Sequence, residues 1–392
     1  MNASSSISKS YYIFLIAFLG LLSAFGPFVI DMYLPALPEM IEVFHCNTSM
    51  VQLGLTFCMV GLAAGQILFG PVSDKFGRKP VLIFSLIVFV CSSIICCFST
   101  SIAVFTCARL LQGIGGAGGI VLSRSIAADM YSGQELAKLI AILSAINNLA
   151  PIAAPVVGGG VTHAWGWQGI FIILLILGCI LLLLSLPLQE SLASHRRFKG
   201  NLISSVKGYN VVFHIKGFIA YSIVYALGMA ALFAYISSTP FIIQSIYGFT
   251  ELQFSLVFAV NAIGLAAGSY LSIKFKSMKT AALFGSVTGG IFALIGIFTN
   301  LFAKSSFFLY EIPVFLMLFG IGLVLTGATV QAMNLGRECA GTASAVIGGI
   351  GYITGGLVSP LVAPNNIIIT SFILCAAFLI VGNIIILEQK KH

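Results

Sequence analysis

Residues 80–99 read PVLIFSLIVFVCSSIICCFS, a run without a single charged side chain. A helix of about 20 apolar residues crosses the roughly 30 Å hydrocarbon core of a bilayer. The rest of the chain continues this pattern, because 59% of its 392 residues are hydrophobic and only 8% are charged. Soluble domains carry about 25% charged residues, so the composition predicts an integral membrane protein and excludes a soluble fold.

Apolar runs bounded by charges, prolines and glycines predict an all-α protein with twelve transmembrane helices in two sets of six. The first set covers 11–40, 49–70, 80–99, 102–124, 135–161 and 167–187, and the second covers 214–244, 250–273, 279–303, 308–332, 340–363 and 367–387. If the N-terminus is inside, 17 of the 19 lysines and arginines fall on the inner side, as the positive-inside rule requires. We therefore expect both termini in the cytoplasm, and the net charge of +8 needs no nucleic-acid partner.

The two sets of helices resemble each other. The pentapeptide GLAAG at 61–65 recurs at 264–268, in the second helix of each set, although so biased a composition could also repeat it by chance. The longest polar stretch lies between the sets. We predict an N-terminal six-helix bundle over 1–190, a cytoplasmic linker over 191–213 and a C-terminal six-helix bundle over 214–392. A pseudo-two-fold axis would relate the bundles, with a site between them.

Asp31 and Arg109 are the two charges that are hardest to place in a bilayer. A charge near the bilayer centre costs about 2.5 to 3.5 kcal/mol on insertion scales, so it needs a compensating partner. A rise of 1.5 Å per residue places both side chains about 10 to 14 Å from the outer surface, where they could meet. Asp31 could instead cap the outer end of its helix, and Arg109 could be a structural arginine bound to helix-end carbonyls.

No feature of the sequence indicates an enzyme. Gly113 to Gly118 matches the G-x-G-x-x-G pattern, but it lies inside an apolar span and not in a βαβ unit, so we reject nucleotide binding. Ser, His and Asp are too sparse within the spans to assemble a nucleophile with its base. We expect no metal and no cofactor, and an ion gradient as the energy source.

Several motifs together carry a resemblance to one family. The turn Gly70 to Pro80 (GPVSDKFGRKP) resembles the signature loop of the major facilitator superfamily. Ala150 to Gly160 resembles the proline- and glycine-rich motif of its drug/proton antiporters, through Pro151, Pro155, Gly158 and Gly159. Asp31 to Pro38 and Arg109 to Gly113 look like the Bcr/CflA subfamily of multidrug efflux transporters. Small residues in such a helix are more often only packing contacts.

The resemblance implies a proton-coupling site. Asp31 would bind the proton, Arg109 would sense its charge, and Gln112, one turn further on, would be a polar contact for the substrate. Some members carry a second carboxylate two turns before Asp31, where this chain has Ser23. Binding of cationic drugs through a carboxylate pair is therefore not expected by simple analogy.

The resemblance also implies a conformational latch on the cytoplasmic side. Asp74 would face the start of the eleventh helix near Gly341, and Arg78 would reach Asp129. Members commonly have arginine where this chain has Ala128, which leaves the latch with one partner fewer. The corresponding turn of the second half, 272–280, contains no acidic residue.

We therefore expect a proton-coupled antiporter that exports small lipophilic or drug-like compounds, confers antibiotic resistance, and lies as a multi-pass monomer in the inner membrane of a bacterial cell. Its partners would be the substrate, protons and lipid. Aromatic residues near the midplane are candidates for the substrate pocket or for simple packing: Phe28, Tyr33, Tyr225, Phe233 and Tyr235. The alternatives are an exporter of one metabolite such as a siderophore, a solute uptake symporter, and a membrane sensor without transport.

Overall fold

The computed structural model describes residues 9–198, 212–215, 217–302, 306–337, 340–362 and 366–389. All regular elements in these residues are helical, and eleven helices are long and apolar enough to cross a membrane. The prediction of an all-helical, multi-pass membrane protein is confirmed at this level.

The helices form two sets along the chain. The first contains α1 (Lys9–Ser23), α2 (Phe25–Asp31), α3 (Leu37–Val43), α4 (Thr48–Phe76), α5 (Arg78–Cys97), α6 (Ile102–Met130) and α7 (Gly133–Ser185). The second contains α8 (Phe218–Pro240), α9 (Glu251–Leu271), α10 (Met278–Phe302), α11 (Phe307–Leu335), α12 (Ala340–Val358) and α13 (Ile367–Glu388). Short 3₁₀ turns follow α2, α9 and α12, and a π-helical segment, Phe241–Ile246, extends α8.

The first span is not the continuous helix over 11–40 that the sequence predicted. It breaks at Ala24 and again between α2 and α3, where a 3₁₀ turn covers Leu34–Ala36. Proline explains both breaks, because it donates no backbone hydrogen bond and clashes with the preceding turn. Pro27 follows the first break, Pro35 lies in the second, and Pro38 is in the first turn of α3, where proline is tolerated. The seven-residue α2 is thus a short helix isolated between two interruptions.

Helix α7 is far longer than one membrane crossing. Its 53 residues would span about 80 Å as a straight helix. Gly166 interrupts it with φ 67° and ψ −172°, outside the helical region. Positive φ is readily adopted only by glycine, so the chain bends sharply at this position.

Helix α4 ends six residues later than predicted. It continues through Pro71 to Phe76, and the turn into α5 consists of Gly77 alone, with φ 103°. Proline within a membrane helix is tolerated because neighbouring groups can satisfy the freed carbonyl. The 70–80 motif is therefore mostly helical, with a single glycine hinge.

Both GLAAG copies pack tightly against a later helix of their own half, through the first glycine in one copy and the last glycine in the other. A Cβ added to Gly61 would collide with the Leu110 carbonyl of α6, and one added to Gly268 would collide with the Phe319 carbonyl of α11. Each copy lets the second helix of its set touch a later helix backbone to backbone, as small residues do in membrane proteins. The repeated sequence thus corresponds to a repeated helix contact.

The two sets of helices meet on one side and separate on the other. Three hydrogen bonds cross the closed side: Gln52 Nε2 to the Ser237 carbonyl at 2.9 Å, Thr56 Oγ1 to the Gly356 carbonyl at 2.7 Å, and Gln244 Nε2 to the Pro35 carbonyl at 3.0 Å. On the opposite side a cavity of about 890 Å³ opens between the halves, with Asp74 in its wall. The conformation is therefore open on the side of the Gly77 turn.

Part of the predicted linker packs against the first half. Leu192 is buried, Ser191 donates a hydrogen bond to Asp129, and the Phe198 amide donates to the Asp74 carbonyl at 2.9 Å. Residues 191–198 therefore lie on the N-terminal helices, which the predicted boundary at 190 did not anticipate. Residues 199–211 of the linker lie outside the described ranges.

Candidate functional site

Two cavities lie between the halves, and Met229 and Tyr352 line both of them. The larger one opens on the Asp74 side and has polar groups in its wall, including Gln66, Arg124 and Asn147. The smaller one, about 160 Å³, lies deeper and is lined mostly by apolar side chains. A solute entering from the open side would therefore pass a polar vestibule before reaching an apolar pocket.

Asp31 is the acidic residue in the wall of the deeper cavity. It is the last residue of α2 and is only 6% exposed. Among the described side chains its carboxylate makes no hydrogen bond and no ion pair. Ionised carboxylates are rarely buried without a partner, so the state of this group depends on what enters the cavity.

Arg109 is fully buried on the other side of α2. Its Nη1 donates to Gln112 Oε1 at 2.5 Å, and its Nη2 donates to the Val29 carbonyl at 2.8 Å. The guanidinium also lies 4.3 Å from the centre of the Tyr33 ring, a cation–π contact. Gln112 is held in turn by Ser93 at 2.8 Å. The charge is thus compensated by a carbonyl, an amide and an aromatic ring.

The expected ion pair between Asp31 and Arg109 is not formed in this conformation, since no nitrogen of Arg109 lies within 4.0 Å of the carboxylate. Val29 and Tyr33 are four residues apart and share one face of the chain, whereas Asp31 lies about 200° around the helix from each. Arg109 occupies the Val29–Tyr33 face, and Asp31 points into the cavity. The predicted depths were compatible with contact, but depth alone does not fix the rotation of a helix.

The candidate substrate residues divide into two groups. Tyr225 lines the larger cavity, and Phe233 and Tyr235 line the smaller one. Tyr33 and Gln112 are fully buried around Arg109 and line neither cavity, so the structure brings them to the arginine, and their role in substrate binding stays a prediction. Phe28 is half-buried against the core and is absent from both cavity walls.

Arg78 connects three polar groups at the start of α5. Its Nε donates to Asp129 at 2.8 Å, and its Nη1 donates to Ser73 Oγ at 2.6 Å and lies 2.6 Å from Asp74. The contact with Asp129 that the resemblance implied is therefore present. Asp74 has a half-exposed side chain and lines the open cavity, as Thr342 does on the opposite wall. The side-chain surroundings of Gly341 lie outside the described residues.

The proline- and glycine-rich segment of α7 lies where three helices converge. A Cβ on Gly158 would collide with the Met32 carbonyl, directly after α2, and one on Gly159 would collide with Ser255 and the Glu251 carbonyl of α9. Pro151 lines the deeper cavity. Pro155 belongs to the same stretch of α7, which thus touches the first span and the second half at once.

Two acidic residues that the sequence analysis did not single out occupy defined positions. Glu190 accepts hydrogen bonds from the amides of Arg78 at 2.9 Å and Lys79 at 3.3 Å, and so caps the start of α5. Glu311 lies in the second turn of α11, and neither of its carboxylate oxygens has a hydrogen-bond partner. Glu311 could have been found by the criterion that selected Asp31, because it is an acidic residue inside an apolar span.

A central cavity between two helical halves, open on one side and sealed by cross-half hydrogen bonds on the other, defines a membrane transporter. Comparison with known proteins agrees. The Major Facilitator Superfamily profile matches residues 13–360, so the chain belongs to this superfamily of secondary transporters, which are not enzymes.

The relatives and structural neighbours cover nearly the whole chain. An uncharacterised MFS-type transporter, YdgK of Bacillus subtilis, is 36% identical over 89% of this chain and 88% of its own length. A bicyclomycin resistance protein homologue of Haemophilus influenzae is 28% identical over 91% and 90%, respectively. A bacterial homologue of the human lysosomal transporter Spinster, solved in an inward-facing and unoccupied conformation, has a TM-score of 0.76 at 17% identity, covering 98% of this chain and 100% of that one. The structural likeness supports the fold alone.

Proposed function

We propose that this protein is a proton-coupled antiporter of the Bcr/CflA type that exports small lipophilic or drug-like compounds. The observation that carries the proposal is the unpartnered carboxylate of Asp31 in the cavity wall, with Arg109 behind the same short helix. The similarity to a bicyclomycin resistance protein homologue supports drug-like substrates. No cofactor is required, because the proton gradient supplies the energy.

The isolated helix α2 suggests how a proton is exchanged for cargo. In the conformation described, Arg109 binds Val29 and stacks on Tyr33 while Asp31 faces the cavity. A twist of α2 between its two breaks would turn the ionised carboxylate towards the arginine. Protonation removes that attraction, which returns Asp31 to the cavity and displaces bound solute. Each charge that crosses 100 mV contributes about 2.3 kcal/mol, so exchange of one proton for a neutral solute uses both voltage and pH gradient.

Twelve spans fit this scheme better than eleven. The break at Gly166 divides α7 into two segments, each long enough for the roughly 30 Å core. Both termini then lie on the same side, which the distribution of lysine and arginine assigns to the cytoplasm. The open cavity faces that side, and the protein functions as a monomer in the bacterial inner membrane with Asp74, Arg78 and Asp129 as the cytoplasmic latch.

The two cavities indicate an amphipathic substrate. Phe233, Tyr235 and Phe258 surround the deeper cavity, whereas Gln66 and Arg124 lie in the wall of the larger one. A compound with an apolar end and a polar or anionic end fits both environments. This arrangement also suits a single dedicated metabolite, and a panel of compounds distinguishes the two possibilities.

Everted membrane vesicles provide the test. Respiring vesicles acidify their interior, and chloramphenicol, ethidium and bicyclomycin are added in turn while a fluorescent dye follows the gradient. We expect at least one compound to dissipate the gradient in vesicles with the wild-type protein and none to do so with Asp31→Asn. Glu42→Gln, which removes an exposed carboxylate from α3 of the same span, should behave as wild type. Normal exchange by Asp31→Asn would refute the coupling role, whereas a sensor or an uptake symporter would not dissipate the gradient with either protein.

A further inference from the structure

Five buried side-chain oxygen atoms in the described part of the second half have no hydrogen-bond partner. Ser222 Oγ and Asn383 Oδ1 are two of them, and the other three are both carboxylate oxygens of Glu311 and Oδ1 of Asn261. Asn261 is only 1% exposed and lines the deeper cavity, and its Nδ2 donates to the Tyr235 hydroxyl at 3.0 Å. Buried polar groups in native proteins are almost always paired, so this group of acceptors indicates a missing donor.

Glu311 lies between an apolar groove and this polar group. On one side, Val260, Ile312, Phe315 and Leu316 form a groove of about 280 Å³ with it. On the other side, Asn261 of α9 lies within hydrogen-bonding reach of its carboxyl group, although no bond of good geometry is formed, and Tyr235 of α8 is close enough to interact with it electrostatically. An ionised carboxylate in such surroundings is strongly destabilised, and no lysine, arginine or histidine among the described residues lies within 4.0 Å to compensate it.

We propose that Glu311, Asn261 and Tyr235 form a second proton-binding site, in the C-terminal half, which communicates with Asp31 through Tyr235. A proton on Glu311 converts one acceptor into an O–H donor, which can bind the unpartnered Asn261 oxygen. Tyr235 lines the same cavity as Asp31 and lies within electrostatic reach of both carboxyl groups. The polar chain therefore runs from one half of the molecule to the other.

A proton fits these acceptors better than a metal cation does. Sodium or calcium needs about six oxygen ligands, often including backbone carbonyls. Helix α11 is continuous here, and the Leu309 carbonyl that Pro313 leaves without an intrahelical donor accepts from Thr299 Oγ1 at 3.1 Å. A proton needs only one acceptor and one neighbour.

The other ionisable groups around Glu311 are neutral at physiological pH. Tyr310 on its own helix, Tyr247 after the π-helical segment and Tyr235 on α8 lie within its electrostatic range. Helix α11 packs against α8, α9, α10 and α12, whose charged residues are Glu251 at the start of α9 and Lys279 at the start of α10. Helix α13, whose Phe372 contacts Tyr310, carries Glu388 at its end. Cys375 of α13 instead donates to the Ala231 carbonyl. Tyr235, which lies within electrostatic range of both Glu311 and Asp31, thus links the two carboxyl groups.

Infrared difference spectroscopy on the purified full-length protein in detergent tests the site without a substrate. Spectra at acidic and alkaline pH are compared, and the carbonyl stretch of protonated carboxyl groups is followed. We expect Glu311→Gln to remove one buried-carboxyl band and Asp31→Asn to remove a different one. Glu388→Gln, at an exposed helix end, should retain both. Glu311→Asp should retain a band at a shifted frequency, and Asn261→Leu should move the Glu311 band to higher frequency, as a carbonyl with fewer hydrogen bonds does.

A Glu311→Gln spectrum identical to that of the wild type overturns the inference. Replacement of choline chloride by sodium chloride is a second test, because loss of the band in sodium would identify a sodium site instead. The role of Glu311 in coupling rests on the proposed function, but these bands do not. If Asp31→Asn removes a band but Glu311→Gln removes none, only the second site is refuted. If Asp31→Asn vesicles dissipate the gradient normally, only the proposed antiport is refuted.

Discussion

Gly158 and Gly160 offer a matched pair of substitutions in one helix. A Cβ at Gly158 would overlap the Met32 carbonyl, while one at Gly160 would meet no atom within 4 Å. Both residues lie in α7, so replacement by alanine changes helix propensity equally, by about 1 kcal/mol in favour of the helix. The difference between the two variants therefore isolates the clash.

The size of that difference follows from the rigidity of its partner. Met32 lies in the break after α2, and its carbonyl belongs to the backbone and cannot swing away as a side chain does. Overpacking of this kind costs about 1 to 3 kcal/mol, which corresponds to about a 5- to 150-fold change in an unfolding equilibrium. We expect Gly158→Ala to be less stable than Gly160→Ala by this amount, and to export poorly, because the displaced backbone directly follows Asp31.

Tryptophan fluorescence provides the assay. The chain has two tryptophans, Trp165 and Trp167, of which the second is buried against Phe105 and Phe171. The purified variants are unfolded with SDS in mixed micelles, and everted vesicles measure export. Equal unfolding midpoints and equal export for the two alanine variants would refute the close contact between α7 and the first span.

Three other substitutions test contacts around the site. Arg109→Lys loses the planar guanidinium that binds both Val29 and Gln112. Since hydrogen bonds to charged groups contribute about 1.5 to 3 kcal/mol, we expect its stability in SDS unfolding to fall by at least about 2 kcal/mol. The exposed control Arg337→Lys should be unaffected, and equal unfolding midpoints for the two variants would contradict these hydrogen bonds. Glu190→Ala removes the cap of α5, at a cost of about 1 kcal/mol. It also removes the acceptor that holds Leu192 and Arg197, so tryptic cleavage at Arg196 and Arg197 should be faster. An unchanged rate would show that other contacts hold the 191–198 segment. Gln52→Met removes a hydrogen bond across the closed side that is worth about 1 kcal/mol, which changes the ratio of open to closed conformations on that side about fivefold. Spin labels at positions 50 and 252 in a cysteine-free background should then report more long distances. An unaltered distance distribution would show that this hydrogen bond does not keep that side closed.

The sequence predicted that Asp31 and Arg109 are buried, but not which side of α2 each side chain occupies. The rise per residue placed Asp31 and Arg109 at similar depths, and both are buried on opposite sides of α2. Which side of α2 each would occupy depends on packing that no period in the sequence encodes. Tyr33 and Gln112, which we predicted to contact the substrate, accordingly surround the arginine in this conformation.

Helix boundaries were least predictable where proline occurs. Pro71 did not end α4, whereas Pro27, Pro35 and Pro38 accompany breaks in the first span. Whether a proline breaks a membrane helix depends on its tertiary surroundings, because neighbouring groups can satisfy the carbonyl that it leaves without a donor. Glu311, by contrast, could have been selected from the sequence, because an acidic residue in an apolar run is costly wherever it lies.

The shortness of α2 separates two processes in time. Under the proposed function, the seven-residue α2 turns separately from the bundles, and small segments generally move faster than whole bundles, which move in microseconds to milliseconds. The ionisation of the carboxyl group would then reach equilibrium many times between successive swings of the halves. The pH on each side then sets the rate of transport through the fraction of Asp31 that is protonated. The pH difference between the two sides sets the direction in which the slower movement of the bundles carries protons.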